Sequence, residues 1–294
     1  MVARNQIESY LATLLAVERF KDYGPNGLQV EGRADVMCLV SGVTASLALI
    51  DAAIETNADA ILVHHGLFWR GQDGRLTGWL AERVKRLMAH GINLFAYHLP
   101  LDAHAEFGNN AQLGLRLGLV ADARFGEQDL GFAGPAALTL DTLALRVQAA
   151  LGRSPLVLPG DGRALTRIGW CTGGAQGYFE GAIAAGVDAF ITGEVSEPQA
   201  HLARETGVAF LACGQDHRVL YTTCTAMLRD LYASLAGDEF DSRLKRYANP
   251  TLLVIDDLGT EKVEIVNGQG ASLFFKVINM RYGKASTIIT SNLD

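Results

Sequence analysis

Two adjacent imidazoles end a short apolar run in this chain, and a carboxylate between two more histidines follows the next apolar run. His64 and His65 come directly after an Ile-Leu-Val stretch, and Asp102 stands between His98 and His104. Imidazole and carboxylate groups are good ligands for Zn, Fe and Mn. In α/β proteins such groups commonly lie at the ends of neighbouring strands. The pattern therefore predicts a divalent-metal site built from His64, His65 and Asp102.

The adjacency of the two imidazoles bears on how many ions such a site holds. Neighbouring residues of a strand point to opposite faces, so His64 and His65 are expected to reach two different ions unless the backbone bends sharply at Gly66. Asp102 could complete one of the two coordination spheres. Two neighbouring ions would acidify a bridging water and stabilise a displaced oxyanion, which is hydrolytic chemistry. The alternative is that both imidazoles cap the strand and hydrogen-bond to loops.

Two interpretations stay open for His98 and His104. A ligating imidazole needs an outer hydrogen-bond partner, so these residues are candidates for supporting the ligands or for substituting for one of them. The other interpretation is that both are ordinary loop histidines. Their positions on either side of Asp102 do not decide between the two.

Length and composition restrict the class of protein. A chain of 294 residues is expected to contain two or three hydrophobic cores. Its 32 acidic and 25 basic residues give a net charge of -7, which argues against nucleic acid as a partner. The four cysteines show no Cys-x-x-Cys spacing, and no apolar run reaches the roughly 18 residues needed to cross a bilayer. We therefore expect a cytoplasmic protein with a small-molecule substrate and no membrane or nucleic-acid partner.

Strand-like and helix-like segments alternate along the first two thirds of the chain, which predicts an α/β fold with a mostly parallel sheet. The predicted strands lie at 28–30, 37–43, 60–63, 92–97, 189–194 and 208–213, and residues 168–175 are predicted to be a strand that enters a Gly-rich turn. The predicted helices lie at 7–20, 46–56, 76–89, 110–117, 143–151 and 180–185. The composition changes around residue 125. We predict a metal-binding α/β domain over 1–124 and 187–214, with a smaller α/β subdomain inserted over 125–186.

Four ordered stretches of residues 1–214 resemble the NGG-interacting-factor-like dinuclear metal-centre family, whose members are often described as GTP cyclohydrolase I type 2 homologues. These stretches are GPNGLQV at 24–30, ILVHHGLFW at 61–69, HLPLDAH at 98–104 followed by Gly-Asn-Asn, and ITGEVSE at 191–197. The resemblance implies a two-domain α/β protomer and a toroidal homohexamer. It also implies up to two Zn, Fe or Mn ions per subunit, with His64, His65 and Asp102 as the first three ligands.

The chain departs from this family where the remaining ligands are expected. The family has a Gly-His-His-Ala-Thr-Glu-like stretch after the strand at 208–213, and this chain has Gly-Gln-Asp-His-Arg-Val. Gln215 thus replaces a ligand histidine, and Val219 replaces the bridging glutamate. Asp216 or His217 could substitute after a shift in register. The sequence therefore predicts an incompletely occupied dinuclear site.

Residues 215–294 resemble a different family, the nucleotide-binding core of IstB-like ATPases that assist insertion-sequence transposases. The segments 218–223, 252–259 and 286–292 resemble the strand after its first helix, its Walker B strand and its sensor strand. In an intact enzyme Asp256 and Asp257 would order Mg²⁺ and water. No Gly-x-x-x-x-Gly-Lys-Ser/Thr motif occurs in the chain, so the loop that cradles phosphates is missing. This favours Asp256 and Asp257 as solvated residues of a P-loop ATPase fragment that lacks its P-loop.

Three functions follow from these patterns. The first is a metal-binding protein with metal-dependent hydrolase activity on a nucleotide-like or phosphorylated small molecule. The second is a non-catalytic ring scaffold or regulator, in which the damaged ligand set has lost its chemistry. The third, an ATPase or transposition helper, is disfavoured by the missing P-loop. The two resemblances together indicate a hybrid reading frame.

Overall fold

A computed structural model describes residues 1–214, 219–236, 239–248, 252–256, 270–281 and 286–289. The predicted α/β class is confirmed. Contacts divide the chain into two units, one of Met1–Pro135 with Gly169–Thr172 and one of Ala136–Ile168 with Gly173–Asp294. The domain boundaries predicted from the sequence stay a prediction. Within the described ranges no helix combines the length and the apolar character that crossing a membrane requires.

The first unit contains a four-stranded sheet with helices between its strands. The strands of this unit are β1 (Val2–Ala3), β2 (Gly27–Val30), β3 (Asp35–Val36), β4 (Leu39–Thr44), β5 (Ala60–His65), β6 (Asn93–Ala96) and β7 (Ala123–Phe125). The four-stranded sheet consists of β2, β4, β5 and β6. Its helices are α1 (Arg4–Leu14), α2 (Leu47–Glu55), α3 (Gly78–His90), α4 (Leu99–Ala103) and α5 (Asn109–Leu117). The sheet order is β2-β6-β5-β4, in which β4, β5 and β6 are parallel and β2 is antiparallel. The carboxyl ends of three strands therefore meet at one edge.

Local capping explains where the helices around this sheet begin and end. The Ser46 side chain accepts a hydrogen bond from the Leu49 amide at 3.2 Å, so α2 begins at Leu47. Gly91 ends α3 in the left-handed conformation, with φ of 62°. Apolar residues of both helices and of β5 and β6 form one core, among them Ile50, Ile61, Val63, Leu80, Leu87 and Leu94. This core fixes the strand ends that carry the histidines.

The structure changes one predicted helix and adds another that was not predicted. The helix predicted over 7–20 begins at Arg4 and ends at Leu14, because Ala16 adopts a left-handed conformation with φ of 49° and a separate 3₁₀ turn follows at Val17–Arg19. For Asp102 the sequence predicted only a position after the strand at 92–97. Asp102 lies in the short helix α4, in which Pro100 occupies a first-turn position that needs no amide donor.

The second unit is built around further strands of a mixed sheet. The remaining strands up to residue 214 are β8 (Gly131–Leu138), β9 (Leu156–Leu158), β10 (Leu165–Cys171), β11 (Ala189–Thr192) and β12 (Ala209–Ala212). The helices are α6 (Leu140–Leu151), α7 (Phe179–Ala184) and α8 (Glu197–Thr206). The hydrogen-bonded order is β7-β8-β10-β11-β12-β9, with β11 and β12 parallel and β9 antiparallel to β12. The division between the two units passes through β8 and β10.

The two units repeat one arrangement of strands. The order β2-β6-β5-β4 in the first corresponds to β9-β12-β11-β10 in the second, each beginning with an antiparallel edge strand. One aspartate directly before β5 and another directly before β11 each accept two amide hydrogen bonds. Asp59 accepts them from Met37 and Cys38 at 2.9 and 3.1 Å, and Asp188 from Thr166 and Arg167 at 2.8 and 3.1 Å. When β5 is aligned with β11, the positions of His64 and His65 in the first unit correspond to Gly193 and Glu194 in the second.

The segment after residue 218 forms a sheet of its own. Strands β13 (Val219–Thr223), β14 (Leu252–Asp256) and β15 (Ser286–Ile289) are parallel and lie in that order. Helices α9 (Cys224–Ala233), α10 (Phe240–Ala248) and α11 (Gly270–Arg281) accompany them. Their hydrophobic core contains buried residues between Cys224 and Val277. Asp256 ends β14, whereas Asp257 lies outside the described residues.

Candidate metal centre

Three histidines converge at the carboxyl edge of the four-stranded sheet. His64 and His65 end β5, and His98 follows β6. One ring nitrogen of each lies within 4.8 Å of those of the other two. The ring centroids of His64 and His65 are 4.5 Å apart, and those of His64 and His98 are 4.9 Å apart. The expectation that His64 and His65 point apart is therefore wrong.

Hydrogen bonds to the flanking strands bring the two adjacent rings together. The His64 Nδ1 atom lies 3.1 Å from the Tyr97 carbonyl oxygen, just beyond the end of β6. The His65 Nδ1 atom lies 3.2 Å from the Thr44 hydroxyl, at the end of β4. Because β5 lies between β4 and β6, each ring is held by a different neighbour. Both rings therefore lean over the end of the strand, and the alternation of side chains along it no longer separates them.

A turn near the N-terminus holds the third imidazole. His98 Nδ1 lies 2.7 Å from Asp22 Oδ1, and the His98 amide donates to Asn26 Oδ1 at 2.7 Å. Asp22 Oδ2 also accepts from Asn26 Nδ2 at 2.9 Å and from the Leu99 amide at 2.8 Å. Burial alone would raise the pKa of Asp22, but the hydrogen bonds from His98 and Asn26 lead the opposing contributions and bring it below its ordinary value. Asp22 is therefore ionised near neutral pH.

These partners leave ring nitrogens of the cluster available as metal ligands. A carbonyl or carboxylate oxygen can only accept a hydrogen bond, so Nδ1 of His64 and of His98 carries the proton. The Nε2 atom of each then keeps its lone pair. Burial, followed by repulsion from the other two imidazoles, lowers the pKa of His65 to about 4. His65 is therefore neutral at pH 7, the form in which an imidazole binds a metal.

A buried carboxylate lies beside the three imidazoles. Asp102 is 9% exposed, and its Oδ2 atom lies 3.6 Å from His64 Nε2. Its Oδ1 atom accepts from Asn109 Nδ2 at 2.8 Å and from the Thr172 hydroxyl at 3.4 Å. Burial raises the pKa of Asp102, and His64 and Asn109 oppose that increase without cancelling it. The residues chosen from the sequence, His64, His65 and Asp102, are thus brought together, with His98 added to them.

Two family models match parts of this chain. The family model described as Duf34/NIF3 (NGG1p interacting factor 3) matches residues 2–237. The chain belongs to the NIF3 family. A second model, the IstB-like ATP binding protein, matches residues 188–294, so the two matches overlap over residues 188–237. Both resemblances found in the sequence are confirmed, and the NIF3 match continues beyond Gly214.

The alignments of this NIF3 chain with its relatives cover most of the length of each relative. The GTP cyclohydrolase 1 type 2 homolog of Neisseria meningitidis serogroup A is 50% identical over 216 residues, which are 73% of this chain and 87% of the relative. The solved structure of protein ybgI has a TM-score of 0.70 and 44% identity, covering 72% of this chain and 87% of its own. The solved structure of TTHA1606 from Thermus thermophilus has a TM-score of 0.64 and 34% identity, with coverages of 72% and 86%.

His104, another candidate ligand of the NIF3 chain, makes its contacts outside the three-histidine cluster. His104 Nδ1 accepts from the Glu106 and Phe107 amides at 3.2 and 3.0 Å, and its ring stacks on Phe107. These contacts make His104 part of a local turn, apart from the three-histidine cluster. Gln215, Asp216 and His217 lie outside the described residues. The role of Asp216 or His217 as a substitute ligand stays a prediction.

Several residues that hold and flank the cluster are not predicted from the sequence of the NIF3 chain. Asp22 and Asn26 show only turn chemistry there, and Thr44 gives no signal. Trp69 also lies beside the cluster, with its ring centroid 5.1 Å from that of His98 and 6.0 Å from that of His65. The one available signal is that Trp69 ends the ILVHHGLFW stretch. No spacing rule connects Asp22 with a histidine 76 residues later.

Proposed function

We propose that this chain holds one divalent ion, Zn, Fe or Mn, and hydrolyses a nucleotide-like or phosphorylated small molecule. The observation that carries the proposal is the convergence of His64, His65 and His98 within 4.8 Å, with the Asp102 carboxylate beside them. Three imidazoles suit Zn and Fe, and a neighbouring carboxylate offsets part of the positive charge.

One ion fits this donor set better than two. The NIF3 resemblance places a histidine at position 215 and a bridging glutamate at position 219, whereas this chain has Gln215 and Val219. Valine has no lone pair with which to join two cations. His98 supplies a third imidazole within the cluster, so a single ion has a full set of nitrogen ligands from the first unit alone.

The residues around the cluster have distinct tasks in this proposal. A bound divalent ion supplies Lewis-acid strength for attack by water. His64 and His98 are kept in one tautomer by the Tyr97 carbonyl and by Asp22. Asn109 and Thr172 hold Oδ1 of Asp102, which leaves Oδ2 directed toward His64 and able to orient a water by hydrogen bonding. The tip of the sheet thus presents both ligands and a water acceptor.

Metal-dependent turnover tests the proposal. The full chain is stripped with a chelator, reloaded with Zn, Mn or Fe(II), and assayed against a panel of phosphomonoesters and nucleotides. We expect turnover that requires the ion and falls at least about hundredfold in His65→Ala. His90→Ala is the matched control, because His90 is exposed at the end of α3. Metal-loaded protein without turnover on any compound would contradict the hydrolase function.

The loss of donors at positions 215 and 219 favours a second function, that of a non-catalytic ring scaffold or regulator. This function predicts a hexameric ring with bound metal and no turnover. Light scattering measures the oligomer, and the hexamer is expected under either function. A cytoplasmic location also belongs to both proposals, and fractionation of expressing cells would test it.

A further inference from the structure

Two aromatic side chains stand beside the histidine cluster and contribute no ligand to it. The Trp69 ring meets the His98 ring edge to face, with an interplanar angle of 89° and a centroid distance of 5.1 Å. Tyr23 lies on the same imidazole at 6.3 Å and is 52% exposed. Trp69 is only partly buried, so its indole is not consumed by core packing. An aromatic surface therefore reaches solvent at the cluster.

The loop that carries Trp69 is attached to the turn that carries Tyr23. The Arg70 amide donates to the Tyr23 carbonyl at 2.6 Å, and the Arg70 guanidinium donates to the Asp22 carbonyl at 2.7 Å. Gly24 permits this approach, because a Cβ atom at that position would clash with the Phe68 carbonyl oxygen. The indole is therefore held at a fixed place relative to His98.

One cationic side chain lies at the turn that also carries the Asp22 carboxylate. Arg70 is exposed, and its guanidinium lies on the Asp22 carbonyl, next to the turn that holds His98. An aromatic face combined with a nearby guanidinium suits a flat heteroaromatic ring that bears a phosphate.

We propose that Trp69 is the specificity-determining residue of this site and stacks on the base of a nucleotide, so that nucleotides are selected over aliphatic phosphate esters. The inference rests on the proposed function, since the same cluster would hold the reacting group. Base stacking on an aromatic side chain strengthens binding by about five- to hundredfold per base. In this proposal Trp69 binds the base of the nucleotide by stacking and is not a metal ligand.

Binding of two probes to the full chain tests this inference. Guanosine monophosphate carries a base and a phosphate, whereas ribose 5-phosphate carries only the sugar phosphate. Affinities are measured by calorimetry on zinc-loaded wild type, Trp69→Phe, Trp69→Leu and Trp79→Leu. Trp79 is the matched control, because it is 59% exposed on α3 and packs with Arg83.

We expect Trp69→Leu to weaken guanosine monophosphate binding at least about tenfold while ribose 5-phosphate binding stays within about twofold. Trp69→Phe should retain part of the affinity, and Trp79→Leu should equal the wild type. Equal loss of both probes, unchanged nucleotide binding in Trp69→Leu, or no binding of guanosine monophosphate by the wild type would overturn the inference. Zinc content, measured on the same samples, separates these outcomes from failure of the metal site itself.

Discussion

Each imidazole of the cluster has one ring nitrogen engaged by a neighbour, and the chemistry of that neighbour determines what the other nitrogen can do. The Tyr97 carbonyl and the Asp22 carboxylate can only accept, so they fix the tautomers of His64 and His98. The Thr44 hydroxyl beside His65 can donate or accept, so His65 is free to adopt the tautomer that a metal requires. In the proposed metal site, the three imidazoles are therefore oriented by groups that are not themselves ligands.

Asp22→Asn tests this preparation directly. The amide side chain would offer one acceptor oxygen where the Asp22 carboxylate accepts from His98, Asn26 and Leu99. We expect zinc affinity to fall by about ten- to hundredfold, the usual cost of removing an outer partner of a ligand. Competition with a chromophoric chelator measures the affinity. Asp73→Asn is the control, since Asp73 is exposed and bonds to Arg75, and zinc affinity within about twofold of wild type in Asp22→Asn would contradict the role of Asp22.

Tyr97 supplies its carbonyl to the cluster but keeps its hydroxyl away from hydrogen bonds. The side chain is 1% exposed, and the hydroxyl has no partner among the described residues. Tyr97→Phe should therefore leave the free energy of unfolding unchanged or raise it by about 1 kcal/mol, with zinc content unaltered.

Urea denaturation of both a test and a control variant measures this effect. Tyr247→Phe should lose about 1 kcal/mol or more, because the Tyr247 hydroxyl donates to Asp230 at 2.7 Å. A comparable loss in Tyr97→Phe would show that its hydroxyl has a partner in solution, and the role assigned to it would be wrong.

Strands and helices differ in how well their sequence predicts them. The helix expected over 46–56 is α2, because Ser46 is a capping residue and the apolar periodicity continues to the end. Strand β8 was not predicted, since its run of Gly, Ala and Pro has no apolar alternation. Gly134 explains that composition, because a Cβ atom there would clash with the Val120 carbonyl oxygen. Close backbone contact of this kind is tertiary information that a local pattern does not contain.

The sequence likewise predicted one part of the candidate site and missed another. Residue types and strand ends predicted that His64, His65 and Asp102 come together. The convergence of His64 with His65 was not predicted, because it depends on hydrogen bonds to two other strands. The contribution of the turn that carries Asp22 was missed for a similar reason, since the pairing is between residues far apart in the chain.

The repeated aspartates join the strands of each unit, and Asp59→Asn and Asp188→Asn test them. Each aspartate accepts amide hydrogen bonds at the start of a neighbouring strand. Asparagine has one acceptor oxygen, so each variant should lose about 1–3 kcal/mol of unfolding free energy at pH 7. Asp51→Asn is the control, because its partly exposed pair with Arg86 is worth about 1 kcal/mol or less.

The lowered pKa values of Asp59 and Asp188 predict that stability depends on pH, and the same variants test this prediction. Amide hydrogen bonds, chiefly from Met37, lower the pKa of Asp59 below the 3.8 of the free side chain. At Asp188 burial opposes the change, but hydrogen bonds from Thr166 and Arg167 lower its pKa overall. The stability from both carboxylates is therefore present above about pH 4 and lost as pH falls through the lower folded values. Urea midpoints between about pH 2.5 and 7 should decline less in Asp59→Asn than in wild type, and parallel declines would contradict this origin.

The whole chain combines two similarities in one polypeptide. The NIF3 match ends at residue 237, and the IstB-like match occupies 188–294. The sequence could not decide whether the later strands complete the NIF3 sheet, because short apolar strands do not specify their partners. In the structure β9 flanks β12, and β13, β14 and β15 pair with one another. Because these three strands form a separate sheet among the described residues, we propose that the C-terminal segment is an added module, as a hybrid reading frame would produce.

A chain that ends at Gly214 tests the independence of this module. The C-terminal core contains buried residues between Cys224 and Val277, and the ligand candidates within the described cluster all precede Ala103. We expect the shortened chain to unfold cooperatively and to bind zinc within about threefold of the full chain. Circular dichroism and chelator competition measure the two properties. Aggregation together with loss of zinc would show that the NIF3 portion depends on the added module.

The number of metal ions per chain tests the central claim most directly. Full-length protein is equilibrated with excess zinc, passed through a desalting column and measured by elemental analysis. The claim predicts about one ion per chain in the wild type, a marked loss in His64→Ala and His98→Ala, and no change in His201→Ala, since His201 is exposed on α8 and pairs with Glu197. No zinc in the wild type, two ions per chain, or an unchanged content in His98→Ala would contradict it.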